Sequence, residues 1–331
     1  MTVPTIGVFV PTAGRLSLLN ALQSFTQQRL LPGDRMLVVS DGPQPRVETL
    51  AARFPQVMSI ITPQTNDWGH SQCNEAIAGG HLKTDLIMGM DDDTILLPRA
   101  FEVIRAAYFG DAMAFHHWTT PWSIAPRDGW DGHCLVTPNH PERIGRFRPV
   151  YSGDQAYVLE TQSYWKGHFR RRTEIITRHR PRGWLWYWEV REPAQVEAMR
   201  QIRNECRQYM THSQREITPE QQEAWWRGLD HDNTWAYLFT EPEKDEDYVG
   251  YGLVRRIDGK MNVSYGLRSS ARGRGLGTEM VQFILDACQG DAWGDLLESN
   301  TAIWHIDQKL GFVELSRTDG VITCHRPWPI Q

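Results

Sequence analysis

Three consecutive aspartates follow a short apolar run in the stretch LIMGMDDDTILLP, and their spacing suits a metal ion. Asp91, Asp92 and Asp93 come directly after Leu86–Met90, and adjacent carboxylates repel one another unless a cation lies between them. If the apolar run is a buried strand, the aspartates emerge at its carboxyl end, where open α/β sheets bind ligands. In an extended chain Asp91 and Asp93 share one face and are able to bridge Mg²⁺ or Mn²⁺ to substrate phosphates. The alternative is a solvated turn that caps the helix after Pro98.

A glycine-rich loop in the second half of the chain suits a bound anion. It stands between an alternating strand pattern and an amphipathic helix pattern, and it consists of Arg272, Gly273, Arg274, Gly275, Leu276 and Gly277. The N-terminus of a helix directs backbone N–H groups and a positive dipole end at an anion, and glycines let the backbone approach closely. The glycine order differs from the dinucleotide-binding fingerprint, and no Lys-Ser/Thr pair follows as in a nucleoside triphosphate loop.

Alternating apolar runs and amphipathic stretches in the first hundred residues predict a parallel sheet covered by helices. The predicted strands are residues 6–12, 35–42, 56–63 and 85–93, and the predicted helices are residues 16–28, 70–82 and 98–109. Asp41 and the three aspartates fall where strands end. Acidic side chains at two such positions suit a ribose or base hydroxyl and a metal.

Length and charge predict two domains in a soluble α/β protein. The chain has 331 residues, of which 40% are hydrophobic, and this length suggests about two domains. Residues 1–182 have a net charge of +2 and residues 183–331 a net charge of −7, so we expect the boundary there. The five cysteines are scattered and suggest neither disulfides nor zinc. We expect no membrane span and a cytoplasmic location, because neither a long apolar run nor a signal sequence is present.

The order of motifs in the first half resembles the GT-A glycosyltransferases, most closely the large inverting group (family 2-like). The resemblance covers residues 5–110 and rests on the stretches VFVPTAGRLSLLNALQSFTQQ, VVSDG and NDWGHSQCNEAIAGGHLKTDLIMGMDDDTILLP. It implies a Rossmann-like, mostly parallel sheet, a nucleotide-sugar donor and Mn²⁺ or Mg²⁺, with Asp91 and Asp93 as metal ligands. The residues it implies near the nucleotide sugar are Pro11, Thr12, Arg15, Asp41, Asn74 and Asp92. Gly69 and Asn74 match the family's Gly-x-x-x-x-Asn segment, although Cys73 stands where an arginine is common.

The general base that inverting members of that family use is not evident in the sequence. A Glu-Asp pair is missing, and the candidates are Asp131, Asp154 and Glu174. His133 and His168 are candidates to complete the metal shell, although a lone histidine is often only structural. A domain without a base would bind the nucleotide sugar without transferring it.

The second half resembles the GNAT acetyltransferases over residues 186–318. The resemblance rests on the R-x-x-G-x-G pattern of residues 272–277 and on the later stretch NTAIWHIDQKLGF, and two predicted helices precede them. It implies a mixed α/β domain in which acetyl-CoA pyrophosphate binds the amides of residues 272–277. The pantetheine arm is expected beside Val263–Gly266, with Asn300 holding the cofactor.

Catalytic groups of the second half are less clear. Asp307 stands where the family often has the tyrosine that protonates the leaving thiolate, and a carboxyl group donates poorly at neutral pH unless its pKa is raised. Tyr265, His305 or water are alternatives. Glu298, at the end of a predicted strand, is a possible base or simply an exposed carboxylate.

The sequence as a whole predicts a bifunctional transferase, with a glycosyltransferase domain (1–182, EC 2.4) joined to an N- or O-acetyltransferase domain (183–331, EC 2.3.1). Its expected partners are the two donors and a glycan or small-molecule acceptor, with both reactions possible on one glycan. A first alternative is an acetyltransferase whose first domain only binds a sugar nucleotide or glycan. A second alternative is a glycosyltransferase that modifies nucleic-acid bases, with the arginine-rich segment 170–182 tracking phosphates.

Overall fold

The computed structural model describes residues 2–328 except 66, 121–122, 125–133, 151–152, 180–184, 243 and 245. The chain divides into two compact units, Met1–Pro181 and Arg182–Gln331, one residue from the division expected from the charge change. Asp131 and His133, which the sequence analysis considered as base and metal ligand, lie outside the described residues. Among the helices that are described, none has the length and apolar character needed to cross a bilayer.

The N-terminal unit is an α/β layer structure built on one sheet. In its described residues the strands are β1 (Ile6–Thr12), β2 (Arg35–Asp41), β3 (Val57–Thr62), β4 (Leu86–Gly89), β5 (Thr94–Leu96), β6 (Ala112–Thr120), β7 (Ser123–Ile124), β8 (Leu135–Pro138) and β9 (Phe169–His179). The helices are α1 (Leu18–Thr26), α2 (Pro45–Ala51), α3 (His70–Ala78), α4 (Ala100–Ala107) and α5 (Gly153–Tyr164). The strands and helices predicted between residues 6 and 109 are therefore confirmed, most of them with shorter ends. α2 and β5 were not predicted, and the strand predicted over residues 85–93 ends at Gly89, before the aspartates.

The sheet is mixed, and the prediction of a mostly parallel sheet is wrong for its second half. The strand order is β3-β2-β1-β4-β8-β6-β9-β5, with β7 paired to β6. β3, β2, β1 and β4 are parallel, whereas β8 runs antiparallel to both β4 and β6. β5 follows β4 after only four residues, which is too short for the crossover that a parallel neighbour requires. It instead forms the far edge, antiparallel to β9.

Aromatic packing joins α5 to the centre of this sheet. The ring of Phe147 stacks on Tyr157 at 4.1 Å between centroids and meets the edge of Phe9 at 6.5 Å. Phe9 and Tyr157 are fully buried. This core holds the start of α5 close to the carboxyl ends of β1 and β4.

The C-terminal unit is a second mixed α/β structure. Its strands are β10 (Trp186–Glu189), β11 (Thr234–Thr240), β12 (Tyr248–Ile257), β13 (Lys260–Leu267), β14 (Ala292–Leu297), β15 (Val313–Thr318) and β16 (Val321–Arg326). Its helices are α6 (Pro193–Glu205), α7 (Pro219–Arg227), α8 (Leu276–Cys288) and α9 (Thr301–Lys309). The strand order is β10-β11-β12-β13-β14-β16-β15.

Capping chemistry sets where the first two helices of this unit begin. Glu192 and Thr218 each form a capping box with the glutamine three residues later, and a proline follows each of them. A reciprocal cap satisfies backbone donors that the first turn leaves unbonded. The two helices pack against β12 through a core that contains Met199, Tyr251 and Leu253.

The central strands of the C-terminal sheet separate along their length. β13 and β14 are parallel and are joined by α8, but only Met261 and Asn262 pair with β14, at Ala292 and Trp293. The remaining residues of both strands, Val263–Leu267 and Gly294–Leu296, line a cavity. The sheet therefore opens where its strands diverge.

Candidate functional site

The acidic cluster of the N-terminal unit lies in a turn between β4 and β5. The backbone N–H of Thr94 donates to the carbonyl of Asp91 at 3.1 Å, which closes the turn. Asp91 and Asp93 still meet on one side, together with His179, and one ligand atom of each lies within 4.8 Å of the others. Two carboxylates and an imidazole are a donor set that suits Mn²⁺ better than Mg²⁺, because imidazole favours transition metals.

His179 reaches the aspartates because β9 pairs with β5. It lies opposite Thr94 in the strand ladder, and its Nδ1 is 2.9 Å from Thr94 Oγ1 and 3.4 Å from Asp93 Oδ1. The sequence analysis missed His179. The signal was weak, because only the pairing of two strands 85 residues apart brings it to this turn.

His168 and Glu174 do not join this cluster, which corrects two predictions. Glu174 belongs to the same strand as His179 and lies about 16 Å from it, at about 3.3 Å per residue. His168 directly precedes that strand and lies more than about 30 Å from His179 along it. His168 Nδ1 lies 3.0 Å from Asp111 Oδ1 instead. Glu174 is half-buried in the middle of the strand. Neither residue is placed to bind the metal or to act beside it.

Asp92 faces the loop after β1 and ties it to the aspartate turn. Its carboxylate accepts a hydrogen bond from Thr12 Oγ1 at 2.6 Å, and Arg15 Nη1 lies 3.3 Å from Asp92 and 3.4 Å from Asp93. Burial raises the pKa of Asp92, while the bond from Thr12 and the charge of Arg15 act in the opposite direction. Thr12 and Arg15 thus lie beside the acidic cluster.

Two other residues expected near the nucleotide have partners within the fold. Asp41 Oδ1, at the end of β2, accepts bonds from the Thr65 backbone at 2.7 Å and from Gln72 Nε2 at 2.9 Å. Asn74 uses both ends of its amide on the backbone of Phe147, at 2.8 and 2.9 Å. The amide of Asn74 thus stabilises the loop before α5.

Gly69 at the start of α3 is needed for close packing against Pro11. Its φ is +84°, and a Cβ added there would lie 2.8 Å from Pro11 Cβ. A side chain at this position is therefore strained by both conformation and contact. Gly69 and Pro11 fix the approach of α3 to the end of β1.

Asp154 is the candidate base that lies in the neighbourhood of the cluster. It stands at the N-terminus of α5, 3.3 Å from His70 Nε2 at the N-terminus of α3. Asp91 and Asp154 both act electrostatically on the buried thiol of Cys73 and raise its pKa, after the larger effect of burial. Asp154 and His70 thus pair where α5 and α3 begin.

The arginine-rich strand segment is partly engaged within its own unit. Arg170 Nε donates to Asp111 Oδ2 at 2.8 Å, and Arg172 donates to the carbonyl of Ala107. Guanidinium groups held in this way are less available to phosphates than free surface charges would be.

The C-terminal unit contains a cavity of about 1130 Å³ at the divergence of β13 and β14. Arg272, Gly273, Gly275 and Gly277 of the glycine loop line it, as does Asn300 at the N-terminus of α9. α8 begins at Leu276, within the loop. The first N–H groups of a helix have no acceptor inside the helix, so this wall of the cavity suits an anion.

Arg274 and Leu276 do not line the cavity, unlike the other residues of the loop. Arg274 Nη1 lies 3.1 Å from Glu241 Oε1, and this ion pair lowers the pKa of Glu241 to about 2. Gly273 (φ +74°) and Gly275 (φ +83°), on either side of Arg274, both have a left-handed backbone conformation.

A Tyr265–Asp307 pair lies in the wall of the same cavity. The hydroxyl of Tyr265 donates to Asp307 Oδ1. Asp307 is only 2% exposed, and burial raises its pKa to about 7, against the lowering effect of the bond from Tyr265. Burial, with the charge of Asp307, also raises the pKa of Tyr265 well above its ordinary value. A carboxyl group of this kind holds a proton near neutral pH and is able to give it up.

Glu298 and His305 are placed outside this cavity, which corrects two further expectations. Glu298 is exposed and forms an ion pair with Arg317, and His305 is exposed on α9. Neither lines the cavity.

Comparison with known proteins identifies only the second half. Residues 188–313 match the family model for the acetyltransferase (GNAT) domain. No curated protein sequence matches the chain.

Solved structures resemble parts of the chain at low sequence identity. A GNAT superfamily phosphinothricin acetyltransferase from Sinorhizobium meliloti, in complex with acetyl-CoA, is 12% identical over 43% of this chain and 88% of that chain, with a TM-score of 0.38. Spermidine N-acetyltransferase from Vibrio cholerae is 14% identical over 44% of this chain and 96% of that chain, with a TM-score of 0.39.

S. aureus TarS is 11% identical over 66% of this chain and 41% of that chain, with a TM-score of 0.46. Scores of this size carry no conclusion about activity. The family match, together with the glycine loop and the opened sheet, identifies residues 188–313 as a GNAT acetyltransferase domain.

Proposed function

We propose that the C-terminal domain transfers an acetyl group from acetyl-CoA to an amine or hydroxyl of a small acceptor. The observation that carries this proposal is the cavity, in which the amides of the glycine loop and the Tyr265–Asp307 pair line one space. Acetyl-CoA supplies the acetyl group as a thioester. Gly273, Gly275 and the N-terminus of α8 would hold the pyrophosphate, with Asn300 and Val263–Gly266 beside the pantetheine arm.

Tyr265 and Asp307 are proposed as the acid of this reaction. Transfer to an amine forms a C–N bond and breaks the C–S bond, so the amine loses one proton and the departing sulfur needs one. In our proposal the hydrogen bond between the two groups reverses when Asp307 is protonated. The carboxyl of Asp307 then donates to the Tyr265 hydroxyl, which gives its own proton to the sulfur and takes up that of Asp307. The proton lost by the amine passes to solvent, and the ionised Asp307 regains a proton from solvent. The raised pKa of Asp307 supports this role, because the carboxyl is largely protonated up to about pH 7.

Acetyl-CoA binding and turnover test the proposal directly. We expect acetyl-CoA to raise the melting temperature of the whole chain, because a ligand that binds only the folded state stabilises it. We also expect thiol release from acetyl-CoA in the presence of a panel of amines. A chain that shows neither a shift nor thiol release would contradict the proposal.

We further propose that the N-terminal domain transfers a sugar from a nucleotide sugar in the presence of Mn²⁺. The observation that supports it is the group formed by Asp91, Asp93 and His179. A divalent metal bound there would neutralise the charge of the donor diphosphate. Thr12, Arg15 and Asp41 surround the same rim and are proposed to contact the donor.

Asp154 is our proposed general base for this second reaction. Its carboxylate would take the proton of the acceptor hydroxyl as the new C–O bond forms and the bond to the diphosphate breaks. It stands in the first turn of α5, and His70 Nε2 lies 3.3 Å from its Oδ1. The alternative, in which the domain only binds the donor, predicts the same binding but no product.

A panel of UDP-, GDP- and TDP-sugars with and without Mn²⁺ separates these alternatives. We expect one nucleotide sugar to raise the melting temperature only when Mn²⁺ is present. If the wild type slowly releases the nucleoside diphosphate and the Asp154→Asn variant does not, this result would support transfer. If the wild type bound the nucleotide sugar but released no nucleoside diphosphate with candidate acceptors present, the domain would be a binding domain and not a transferase.

A further inference from the structure

The wall of the C-terminal cavity formed by β12 and α7 contains two buried hydrogen-bond donors without partners. Nε of Arg255 and Nε2 of Gln222 are buried, and among the residues that the structure describes neither atom has a hydrogen-bond acceptor. Gln222 is only 4% exposed. Both residues line the cavity. Unsatisfied buried donors are uncommon in folded proteins because each costs free energy, and they often mark a site for a ligand.

The backbone pattern explains why Arg255 points into the cavity. Side chains of a strand alternate between its faces, and Tyr251 and Leu253 of β12 belong to the core under α6 and α7. Arg255, two residues further, continues that row and also lines the cavity. Its neighbour Arg256 is exposed and lies over the ring of Trp235 at 5.7 Å.

Arg255 is not neutralised by a carboxylate. Within the described part of the chain its side chain has one long contact, from Nη2 to Asn262 Oδ1 at 3.5 Å, and no ion pair. By contrast, the nearby Arg203 donates to the carbonyls of Arg215 and Ser213. A half-buried guanidinium without a counter-charge favours an anionic ligand, because the pair then offsets the loss of hydration.

The anion that Arg255 favours is not the pyrophosphate of acetyl-CoA. In the ladder between β12 and β13, Arg255 lies opposite Asn262, and the glycine loop follows the other end of β13, beyond Leu267. Five residues of strand separate Asn262 from Leu267, or about 16 Å. The two positive regions therefore lie at opposite ends of the cavity, with the diverging strands between them.

We propose that the acceptor of acetyl transfer is an amine that carries an acidic group, a carboxylate or phosphonate, bound by Arg255 and Gln222. This inference rests on the proposed acetyltransferase function and names its substrate class. Arg255 presents a planar fork that binds two oxygens of an acid, and the amide of Gln222 donates a further bond. The acid is thereby held at the α7 end, and the amine is directed toward the diverging strands.

Matched acceptors test the substrate class. Glycine, β-alanine, L-glutamate and aminomethylphosphonate are compared with their amides or with amines that lack the acid, by thiol release from acetyl-CoA. We expect kcat/KM to be higher for the acids by about 10- to 100-fold, as for a hydrogen-bonded ion pair. The carboxylate and phosphonate members of the panel show which acid is preferred. Equal rates for acids and their neutral partners, or faster neutral amines, would overturn the proposal.

Variants assign the preference to the two donors. Arg255→Met is expected to remove the advantage of the acids over their neutral partners, and Arg255→Lys to restore part of it. Arg256→Met is the matched control, because it removes an arginine from the adjacent, outward-facing position. Gln222→Met changes a residue in a separate helix. It is expected to lower kcat/KM for the acids by about 10-fold. If Arg255→Met and Gln222→Met each lowered kcat/KM for acidic and neutral substrates to the same degree, that result would contradict a recognition role.

Binding to the CoA-loaded protein gives a readout that does not need turnover. N-acetylglycine and N-acetyl-L-glutamate are titrated against their amides by calorimetry. We expect only the acids to bind the wild type, and neither to bind Arg255→Met. A normal melting shift with acetyl-CoA but no preference for acids would overturn this inference alone. The absence of any shift with acetyl-CoA would instead contradict the proposed acetyltransferase function.

Discussion

At the scale of single residues, Asp307 shows how burial changes the chemistry of a side chain. A carboxyl group in water ionises near pH 4, whereas Asp307 is buried and has a pKa of about 7. Its bond with Tyr265 gives the proton a path to the cavity. An aspartate in place of the family's usual tyrosine is therefore compatible with an acid role, because a protonated carboxyl group is also a donor.

The pH dependence of acetyl transfer follows from this pKa. The acid is active while Asp307 is protonated, so we expect kcat to fall as the pH rises through about 7. In Asp307→Asn that descending limb should disappear and kcat should be lower by about 10²- to 10³-fold at pH 6, a typical loss for an acid–base group. Rates from pH 5 to 9 at saturating acetyl-CoA check this. Retention of the same limb in Asp307→Asn would assign it to another group.

Stability should respond to the same group with a definite sign. The folded protein holds a proton on Asp307 up to about pH 7, whereas the unfolded chain releases it near pH 4. Between these values folding takes up a proton, so the stability of the wild type relative to Asp307→Asn should fall as pH rises, by up to about 1.4 kcal/mol per unit. Above pH 7 the difference should level off. Urea unfolding of both proteins at several pH values measures it, and a difference that rises with pH would contradict the assignment.

At the scale of elements, the glycine loop depends on backbone conformation more than on side chains. Gly275 is the left-handed residue that begins α8, and a Cβ added there meets open space. A side chain at this position strains the left-handed backbone, at a cost of about 1–2 kcal/mol. It also projects into the space proposed for the anion.

We expect Gly275→Val to abolish the melting shift with acetyl-CoA. Gly259→Val is the matched control, because Gly259 also has a positive φ (+76°) and open space around it but does not line the cavity. Both variants should lose similar stability without ligand. A dissociation constant that rises at least about 10-fold only in Gly275→Val, measured by calorimetry, would fit a loss of hydrogen bonds to charged groups. If both variants weakened acetyl-CoA binding equally, backbone strain alone would explain the effect.

At the scale of the whole molecule, each unit has its own sheet and its own core. Two such units are expected to bind their ligands independently unless an interface couples them. The acidic cluster and the glycine loop belong to different units, so a change in one site should leave ligand binding at the other intact.

The double variant Asp91→Asn/Asp93→Asn tests this separation. It should lose the Mn²⁺-dependent melting shift with a nucleotide sugar, because two of the three charged or basic ligands lose their charge. Its shift with acetyl-CoA should match the wild type. Gly275→Val should show the reverse pattern. Loss of both shifts in either variant would indicate coupling or unfolding, which far-UV circular dichroism distinguishes.

Local sequence determined most of the regular elements and both main motifs. Hydrophobic period and turn residues depend on neighbours along the chain, which is why the first strands and helices and the glycine loop were predictable from sequence. The aspartates follow β4 as expected, but in a turn instead of the predicted extended strand. The tertiary structure alone decided that β5 pairs with β9 and thus that His179, rather than His168, joins Asp91 and Asp93. It also decided the raised pKa of Asp307 and the unpartnered donors of Arg255 and Gln222. Strand register and burial arise from contacts between distant segments, and no local pattern in one sequence specifies them.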